Sequence, residues 1–186
     1  YLDRSQVYQR LDRHREAIDD LTKAIHLSPS REPMPRNNRA YARALANVEL
    51  DEALVDVQQA LDVVEQQLAD APQRSLDPES DLAEIKAHKG AYLDTRGYIY
   101  FLQDNYEPAL ADLDEAIELS NSSQERMISA VPPSRRAAVQ KQFNHELAVM
   151  YHHRGQIYEK LGRTAEAKSD LDHGDDLGYN PAAGVF

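Results

Sequence analysis

Arginine and aspartate recur in pairs along the sequence at a nearly constant spacing. Each of four arginines precedes a small residue. An aspartate follows the arginine 17 residues later in the second pair and 16 residues later in the other three. A guanidinium and a carboxylate can form a strong, charge-assisted ion pair, and recurrence in every unit is typical of a structural part. We therefore predict structural ion pairs rather than a row of arginines that binds an acidic ligand. The predicted pairs are Arg4 with Asp20, Arg39 with Asp56, Arg96 with Asp112, and Arg154 with Asp170.

Three histidines, His145, His152 and His153, form a second group that could carry chemistry, and Glu146 adjoins the first. His145 and His152 are seven residues apart, which places them on one face of a helix. Zinc needs three or four converging ligands, and the one-turn spacing of helical zinc motifs is missing. We predict no metal site here and interpret these histidines as ordinary surface or groove residues.

The sequence has even weaker signals of enzyme activity than of metal binding. The sequence contains no Cys, no glycine-rich phosphate loop and no nucleophile elbow, and its Asp and Glu residues are spread along helix surfaces. The net charge of -11 argues against binding to nucleic acid, which needs a basic face. No apolar run approaches the roughly 20 residues of a membrane span. We expect a non-catalytic protein without a cofactor, and the sequence leaves its compartment undecided.

Four similar blocks show which elements must position these residues. The blocks are EAIDDLTKAI at 16–25, EALVDVQQAL at 52–61, PALADLDEAI at 108–117 and EAKSDLDHGD at 166–175. Around the third block, Tyr106, Ala109, Leu113 and Ala116 recur at the three-and-four spacing of a helix with one buried face. Gly97 on the preceding helix is small where two helices must approach closely. A single helical hairpin of this kind cannot bury both faces, so the pattern predicts a stack of such hairpins.

The stretch from Tyr92 to Leu119 resembles one unit of the tetratricopeptide repeat (TPR) family, with Leu93, Gly97 and Tyr100 on a first helix and Ala109, Leu113 and Ala116 on a second. The resemblance implies an all-α fold, a right-handed α-α superhelix of about four helix-turn-helix repeats. It also implies that the chain binds proteins or peptides. The second copy has one extra residue in its first helix or in its turn.

The spacing of equivalent alanines predicts the boundaries of the repeats. Ala17 and Ala53 are 36 residues apart, whereas Ala53 to Ala109 is 56 residues and Ala109 to Ala167 is 58, against a family period of about 34. We predict a single array with repeats at about 1–30, 35–70, 90–121 and 148–180, and insertions at about 70–90 and 121–147. The insertions should lengthen the second helix of one repeat and the first helix of the next, giving hairpins that project from the array.

The last repeat has polar residues where the earlier copies are apolar. Lys168 stands where the first three copies have an aliphatic residue. Asp175, two turns further along the same helical face, also replaces an aliphatic residue. In an array this face packs on the following repeat, so its polarity predicts a C-terminal cap. Gly178 suits a helix end in the left-handed conformation.

The resemblance also implies a ligand site, because first helices line the concave surface of TPR proteins. Amide and aromatic side chains there suit an extended peptide. Leu2, Gln6, Ala91 and Thr95 stand where the family's clamp for chaperone C-termini needs basic and amide groups, so the chain is not expected to bind those tails. The predicted groove residues are Gln6, Gln9, Asn37, Asn38, Tyr41, Asp94, Tyr98, Phe101, His152 and Gln156.

Three hypotheses for function follow. The first is a protein-interaction scaffold that binds a peptide or protein partner in the concave groove. The second is an assembly module that associates with itself through the extended hairpins or through the apolar segment at 182–186. The third is a regulatory part of a larger protein, because the sequence begins without Met inside a predicted helix and a catalytic or membrane segment could precede it.

Overall fold

The computed structural model describes residues 1–27, 33–74 and 77–179. These residues form eight α-helices and no strand, so the prediction of an all-α fold is confirmed. The apolar segment at 182–186 lies outside the described residues. The helices are α1 (Leu2–Arg10), α2 (His14–Leu27), α3 (Met34–Ala46), α4 (Leu50–Arg74), α5 (Pro78–Leu102), α6 (Tyr106–Ala130), α7 (Pro133–Lys160) and α8 (Thr164–Asp176).

The helices form four antiparallel hairpins, α1–α2, α3–α4, α5–α6 and α7–α8, and each hairpin packs on the next. Every hairpin turn contains one residue with a left-handed backbone, eight positions after the arginine of its repeat. Asp, Asn and Gly adopt this conformation at the least cost. These residues are Asp12 (φ 54°), Asn47 (φ 51°), Asp104 (φ 58°) and Gly162 (φ 70°).

The extra residue of the second repeat lies in its turn. Asn47 is in the common position, but the buried Ala53 follows it after six positions, whereas the matching alanine follows after five in the other repeats. Glu49 within this stretch has a φ of 49°, a second left-handed residue in the same turn. The insertion is therefore absorbed between α3 and α4, which leaves the pairing of the two helices unchanged.

Small residues let the two helices of a hairpin approach closely. A Cβ atom added at Gly97 would lie 3.2 Å from the Ala109 carbonyl oxygen and 3.2 Å from Leu113. Ala109 and Leu113 are themselves fully buried, as are the equivalent Ala17 and Leu21 of the first hairpin. Complete burial of a leucine side chain contributes about 1.5 to 3 kcal/mol, so these contacts stabilise the first and third hairpins.

The two insertions lengthen four consecutive helices. Helices α4, α5 and α6 have 25 residues each and α7 has 28, while the other four have between 9 and 14. The added turns of α5 and α6 pack on each other, since a Cβ atom at Gly90 would lie 2.9 Å from the Ser120 hydroxyl and Arg126 pairs with Asp77 at 3.1 Å. The insertions are therefore helix extensions, as predicted, and the extended parts of α5 and α6 are in contact.

The end of α8 has the geometry of a Schellman motif. Gly178 has a φ of 88°, its N–H donates to the Asp175 carbonyl at 2.9 Å, and the N–H of Tyr179 donates to the Gly174 carbonyl at 2.9 Å. This pattern satisfies the last carbonyls of the helix and turns the chain in a fixed direction. Lys168 and Asp175 are exposed on the outer face of α8, in keeping with the predicted polar cap.

Candidate peptide-binding groove

The first helices of the repeats, α1, α3, α5 and α7, carry the predicted groove residues, and α5 contacts both α3 and α7. Relative to the arginine of its repeat, each predicted residue except Asn38 lies two positions before, two after or five after. Steps of four and three residues keep these positions on one helical face. The groove residues therefore occupy equivalent places on successive helices.

An aromatic cluster of Tyr41, Tyr98, Phe101 and His153 extends over α3, α5 and α7. The ring of Tyr98 is at its centre, with centroids 6.3 Å from Tyr41, 6.2 Å from Phe101 and 4.3 Å from His153. The Tyr98 and His153 rings are nearly parallel, at 14°. Tyr41 is buried, whereas Tyr98 and Phe101 keep part of their surface in solvent. The cluster therefore offers a ligand partly exposed apolar ring surface.

His153 of this cluster forms a buried, hydrogen-bonded pair with an aspartate. The Asp94 carboxylate on α5 is 2.8 Å from the His153 Nδ1 on α7, and the two residues are only 3% and 6% exposed. Asp94 is a predicted groove residue, whereas His153 was predicted to be an ordinary surface or groove histidine. Its position, adjacent to Arg154, is the one that Asn38 and Thr95 occupy in earlier repeats, and both are buried and polar. This equivalence in the sequence could have indicated that His153 is a buried polar residue.

Burial raises the pKa of several side chains in and near the aromatic cluster. Burial, and secondly the Asp94 charge, raise the pKa of the Tyr98 hydroxyl, and the same two causes raise the pKa of Tyr41 well above its usual value. Further along α7, burial raises the pKa of Glu146, while a hydrogen bond from Gln142 opposes the rise. These groups are poorly solvated, which strengthens any polar contact that a ligand makes with them.

At the α1 end of the groove, two amide side chains are incompletely satisfied. Gln9 donates from Nε2 to the Asn38 carbonyl at 3.3 Å. Among the residues that the structure describes, neither Gln9 Oε1 nor Asn37 Oδ1 has a hydrogen-bond partner, although both atoms are buried. A buried acceptor without a donor costs about 1 to 3 kcal/mol. Gln6 lies at the solvent side of the same end and is half-buried.

At the other end of the groove, His152 on α7 stacks against Tyr179, with centroids 3.9 Å apart and planes at 13°. Burial lowers the pKa of His152, and the neighbouring His153 lowers it further, while Asp175 and Glu159 act in the opposite direction. Gln156 is half-buried one turn further along α7. Tyr179 was not among the predicted groove residues, because it follows the last helix and no other repeat has an aromatic residue at the matching position.

One family model, described as Tetratricopeptide repeat, matches residues 1–31, 91–123 and 148–177. These segments include the whole first hairpin and the parts of the third and fourth hairpins next to their turns, and they make up half of the chain. The chain belongs to the tetratricopeptide repeat family. Repeats of this family generally mediate protein–protein interaction, and its members are typically non-catalytic scaffolds. No curated protein matches the chain significantly.

In each TPR hairpin, the arginine on the first helix donates two hydrogen bonds to the aspartate on the second. The aspartates are almost completely buried, while the arginines range from 14% exposed at Arg39 to 55% at Arg4. Both oxygens of each carboxylate accept, which is the favourable bidentate geometry. The distances are 2.5 and 2.7 Å for Arg4–Asp20, 2.7 and 2.7 Å for Arg39–Asp56, 2.7 and 2.7 Å for Arg96–Asp112, and 2.6 and 2.9 Å for Arg154–Asp170.

The three clustered histidines of this TPR chain have different surroundings. His153 pairs with Asp94, His152 stacks on Tyr179, and His145 lies half-buried further back on α7. Across residues 1–27, 33–74 and 77–179, no group of three His, Asp or Glu side chains is arranged to hold a metal ion. Within the same ranges, no helix combines the length and apolarity needed to cross a membrane.

Proposed function

We propose that the chain is a non-catalytic scaffold that binds an extended peptide segment of a partner protein in its concave groove. The observation that carries the proposal is the aromatic cluster, which joins three consecutive first helices and leaves Tyr98 and Phe101 partly exposed. A peptide that lies across these helices can bury apolar side chains on the rings. Buried aromatic contacts of this kind carry much of the affinity in protein interfaces.

Polar groups at the groove support an extended peptide rather than a purely apolar ligand. The half-buried amide side chains of Gln6 and Gln156 offer hydrogen-bonding groups, and an extended peptide backbone presents donors and acceptors at regular intervals. The buried carboxylate of Asp94 adds negative potential beneath the rings. We therefore expect the bound segment to be neutral or basic rather than acidic.

The test is affinity capture with the full chain and two variants. Tyr98→Ala combined with Phe101→Ala removes the exposed rings of the aromatic cluster. Tyr100→Ala is the matched control, because Tyr100 lies on the same helix, is also half-buried, and faces Leu54 and Arg96 outside the groove. The wild type and the control should capture the same proteins, and the double variant should lose them. If the double variant captures an identical set, the groove is not the binding site.

The second hypothesis, self-association through the extended helices, lacks a comparable observation. The surface between α6 and α7 in the extension is lined mainly by polar side chains, among them Gln124, Glu125 and Arg136. Stable self-association usually needs an apolar interface core. Light scattering over a range of protein concentrations tests this alternative directly, and a concentration-dependent dimer would favour it.

A further inference from the structure

Tyr179 is held in a defined place by the end of α8. The two hydrogen bonds of the Schellman motif fix the backbone of Gly178 and Tyr179 relative to the last turn of the helix. Gly178 makes this turn with a φ of 88°, a conformation that residues with a side chain adopt only at a cost. The direction in which the Tyr179 side chain leaves the helix is therefore part of the fold.

That direction leads into the groove. The Tyr179 ring lies flat on His152 of α7 at 3.9 Å, and Tyr179 is half-buried. Coulombic interactions with Tyr98 and Asp94 on α5 raise the pKa of the Tyr179 hydroxyl, after burial as the main cause. Tyr179 in turn contributes to the raised pKa of Tyr41 on α3. These directions agree with the stacking on His152, which places the Tyr179 ring against a predicted groove residue.

We propose that Tyr179 is an intramolecular occupant of the groove, and that the groove binds partner peptides whose own aromatic side chain, a tyrosine in the simplest case, replaces Tyr179 on His152. The inference rests on the proposed function, since it assigns the ligand class and the regulation of the same site. Tyr179 shows which chemistry the site accepts: a flat aromatic ring stacked on the imidazole.

Occupancy by a tethered side chain weakens binding of a free peptide. A group tethered by a short segment has an effective concentration in about the millimolar range. A partner peptide must compete against this concentration, so its apparent affinity falls in proportion to the fraction of chains in which Tyr179 is seated. Removal of Tyr179 should therefore strengthen binding, whereas removal of an ordinary groove residue should weaken it.

The experiment is an NMR titration of the full, 15N-labelled chain with an unlabelled synthetic peptide, LGYNPAA, which has the sequence of residues 177–183. The chains are the wild type, Tyr179→Ala, and Tyr179→Ala combined with His152→Ala. Tyr158→Ala is the matched control, because Tyr158 is a half-buried tyrosine on α7 that contacts Arg154 and Arg163 instead of the groove. A second peptide, LGANPAA, lacks the aromatic ring.

Tyr179→Ala should bind LGYNPAA with a Kd at least about tenfold lower than the wild type or the Tyr158→Ala control, given the effective concentration of the tethered ring. The gain should disappear with LGANPAA and in the variant that also lacks His152. Equal binding to all chains, or no binding to any, overturns the inference. If partner capture depends on Tyr98 and Phe101 but this titration shows no gain, the proposed function stands and the self-occupancy is wrong.

Discussion

Arg154 and Asp114 lie in adjacent repeats, and the Arg154 Nη1 donates a hydrogen bond to the Asp114 carboxylate at 2.7 Å. The same arginine binds Asp170 of its own repeat through its other nitrogens. Each acceptor in the preceding repeat stands two residues after that repeat's aspartate, so one side chain both closes a hairpin and joins it to its neighbour. The two earlier links are Arg96 to Gln58 at 2.7 Å and Arg39 to Thr22 at 3.1 Å.

In the last repeat, the equivalent acceptor position is Asp172. Its carboxylate pairs with Lys168 four residues earlier on α8. Lys168 is also the residue that replaces the aliphatic packing position of the other repeats. The polar cap therefore changes two features together: it removes the apolar contact for a further hairpin, and it gives the linking carboxylate a local partner.

The first prediction concerns the Arg96–Asp112 pair. Arg96→Ala leaves the Asp112 carboxylate, which is 6% exposed, without its bidentate partner. The loss of one partner from a buried ion pair costs about 3 kcal/mol, so the free energy of unfolding in urea should fall by roughly that amount. Partner affinity per folded molecule should be unchanged, because the pair lies between the helices of the hairpin and not in the groove.

Asp114→Ala is the matched control for this prediction. Its side chain is 58% exposed and serves only the link between repeats, and exposed pairs contribute about 0 to 1 kcal/mol. Its effect on unfolding should be several times smaller than that of Arg96→Ala. Lost binding with unaltered unfolding in Arg96→Ala would show that the arginines contact the ligand and would reverse the structural interpretation.

The second prediction concerns the coupling of Asp94 and His153 between α5 and α7. Each single substitution to alanine leaves the other member buried without its hydrogen bond, whereas the double variant removes both groups. A double-mutant cycle in urea should therefore give a coupling energy of about 1 to 3 kcal/mol. Asp94→Asn keeps an acceptor for the imidazole and should cost less than Asp94→Ala. Additive single effects would mean that the 2.8 Å contact contributes nothing to stability.

The sequence predicts most of the contacts within a hairpin and few of those between repeats. Arg96 and Asp112 share one repeat, so their spacing recurs and is visible in a single chain. Asp94 and His153 are 59 residues apart, and their meeting depends on how two hairpins stack, which no periodicity records. Tyr179 follows the last helix, and no other repeat has an aromatic residue at the matching position. Its place follows from the Gly178 turn together with the packing of α8 on α7.

The insertions likewise show that the sequence predicts the length of a helix better than its contacts. The alanine spacing correctly predicts that α4 to α7 are lengthened, because it measures chain length between equivalent positions. It contains no information on what the added turns contact, so the close packing of α5 on α6 in the extension was not predicted. The small residue Gly90, which allows α5 to pack closely on Ser120 of α6, was the overlooked signal.

The third prediction tests that close approach. A Cβ atom at Gly90 would lie 2.9 Å from the Ser120 hydroxyl and 3.1 Å from the Ala116 carbonyl oxygen. Backbone cannot move aside as a flexible side chain does, so Gly90→Ala should destabilise the chain by about 1 to 3 kcal/mol, measured as a lower midpoint in urea. Addition of Ser120→Ala should restore part of the loss. A stability equal to or above wild type would mean that the extended helices do not pack as described.

The fourth prediction concerns the pH dependence of His152 beneath Tyr179. Burial holds the pKa of His152 below its usual 6.5, and His153 adds to this effect, against Asp175 and Glu159. The unfolded chain thus binds a proton more readily than the folded chain. The stability contributed by the neutral imidazole is fully present above pH 6.5 and is lost as the pH falls through the folded pKa. Tyr179→Ala exposes the imidazole, so its pKa should rise towards 6.5.

The measurement is a 13C-detected NMR titration of the histidine side chains in the wild type, Tyr179→Ala and Tyr158→Ala. Only Tyr179→Ala should move the His152 resonance to a higher midpoint, because Tyr158 contacts arginines and not the imidazole. The same variant should lose less stability in urea than the wild type between about pH 7 and pH 5, the range in which histidine titrates. An unchanged His152 midpoint in Tyr179→Ala would mean that the tyrosine ring does not shield the imidazole in solution, whatever its effect on peptide binding.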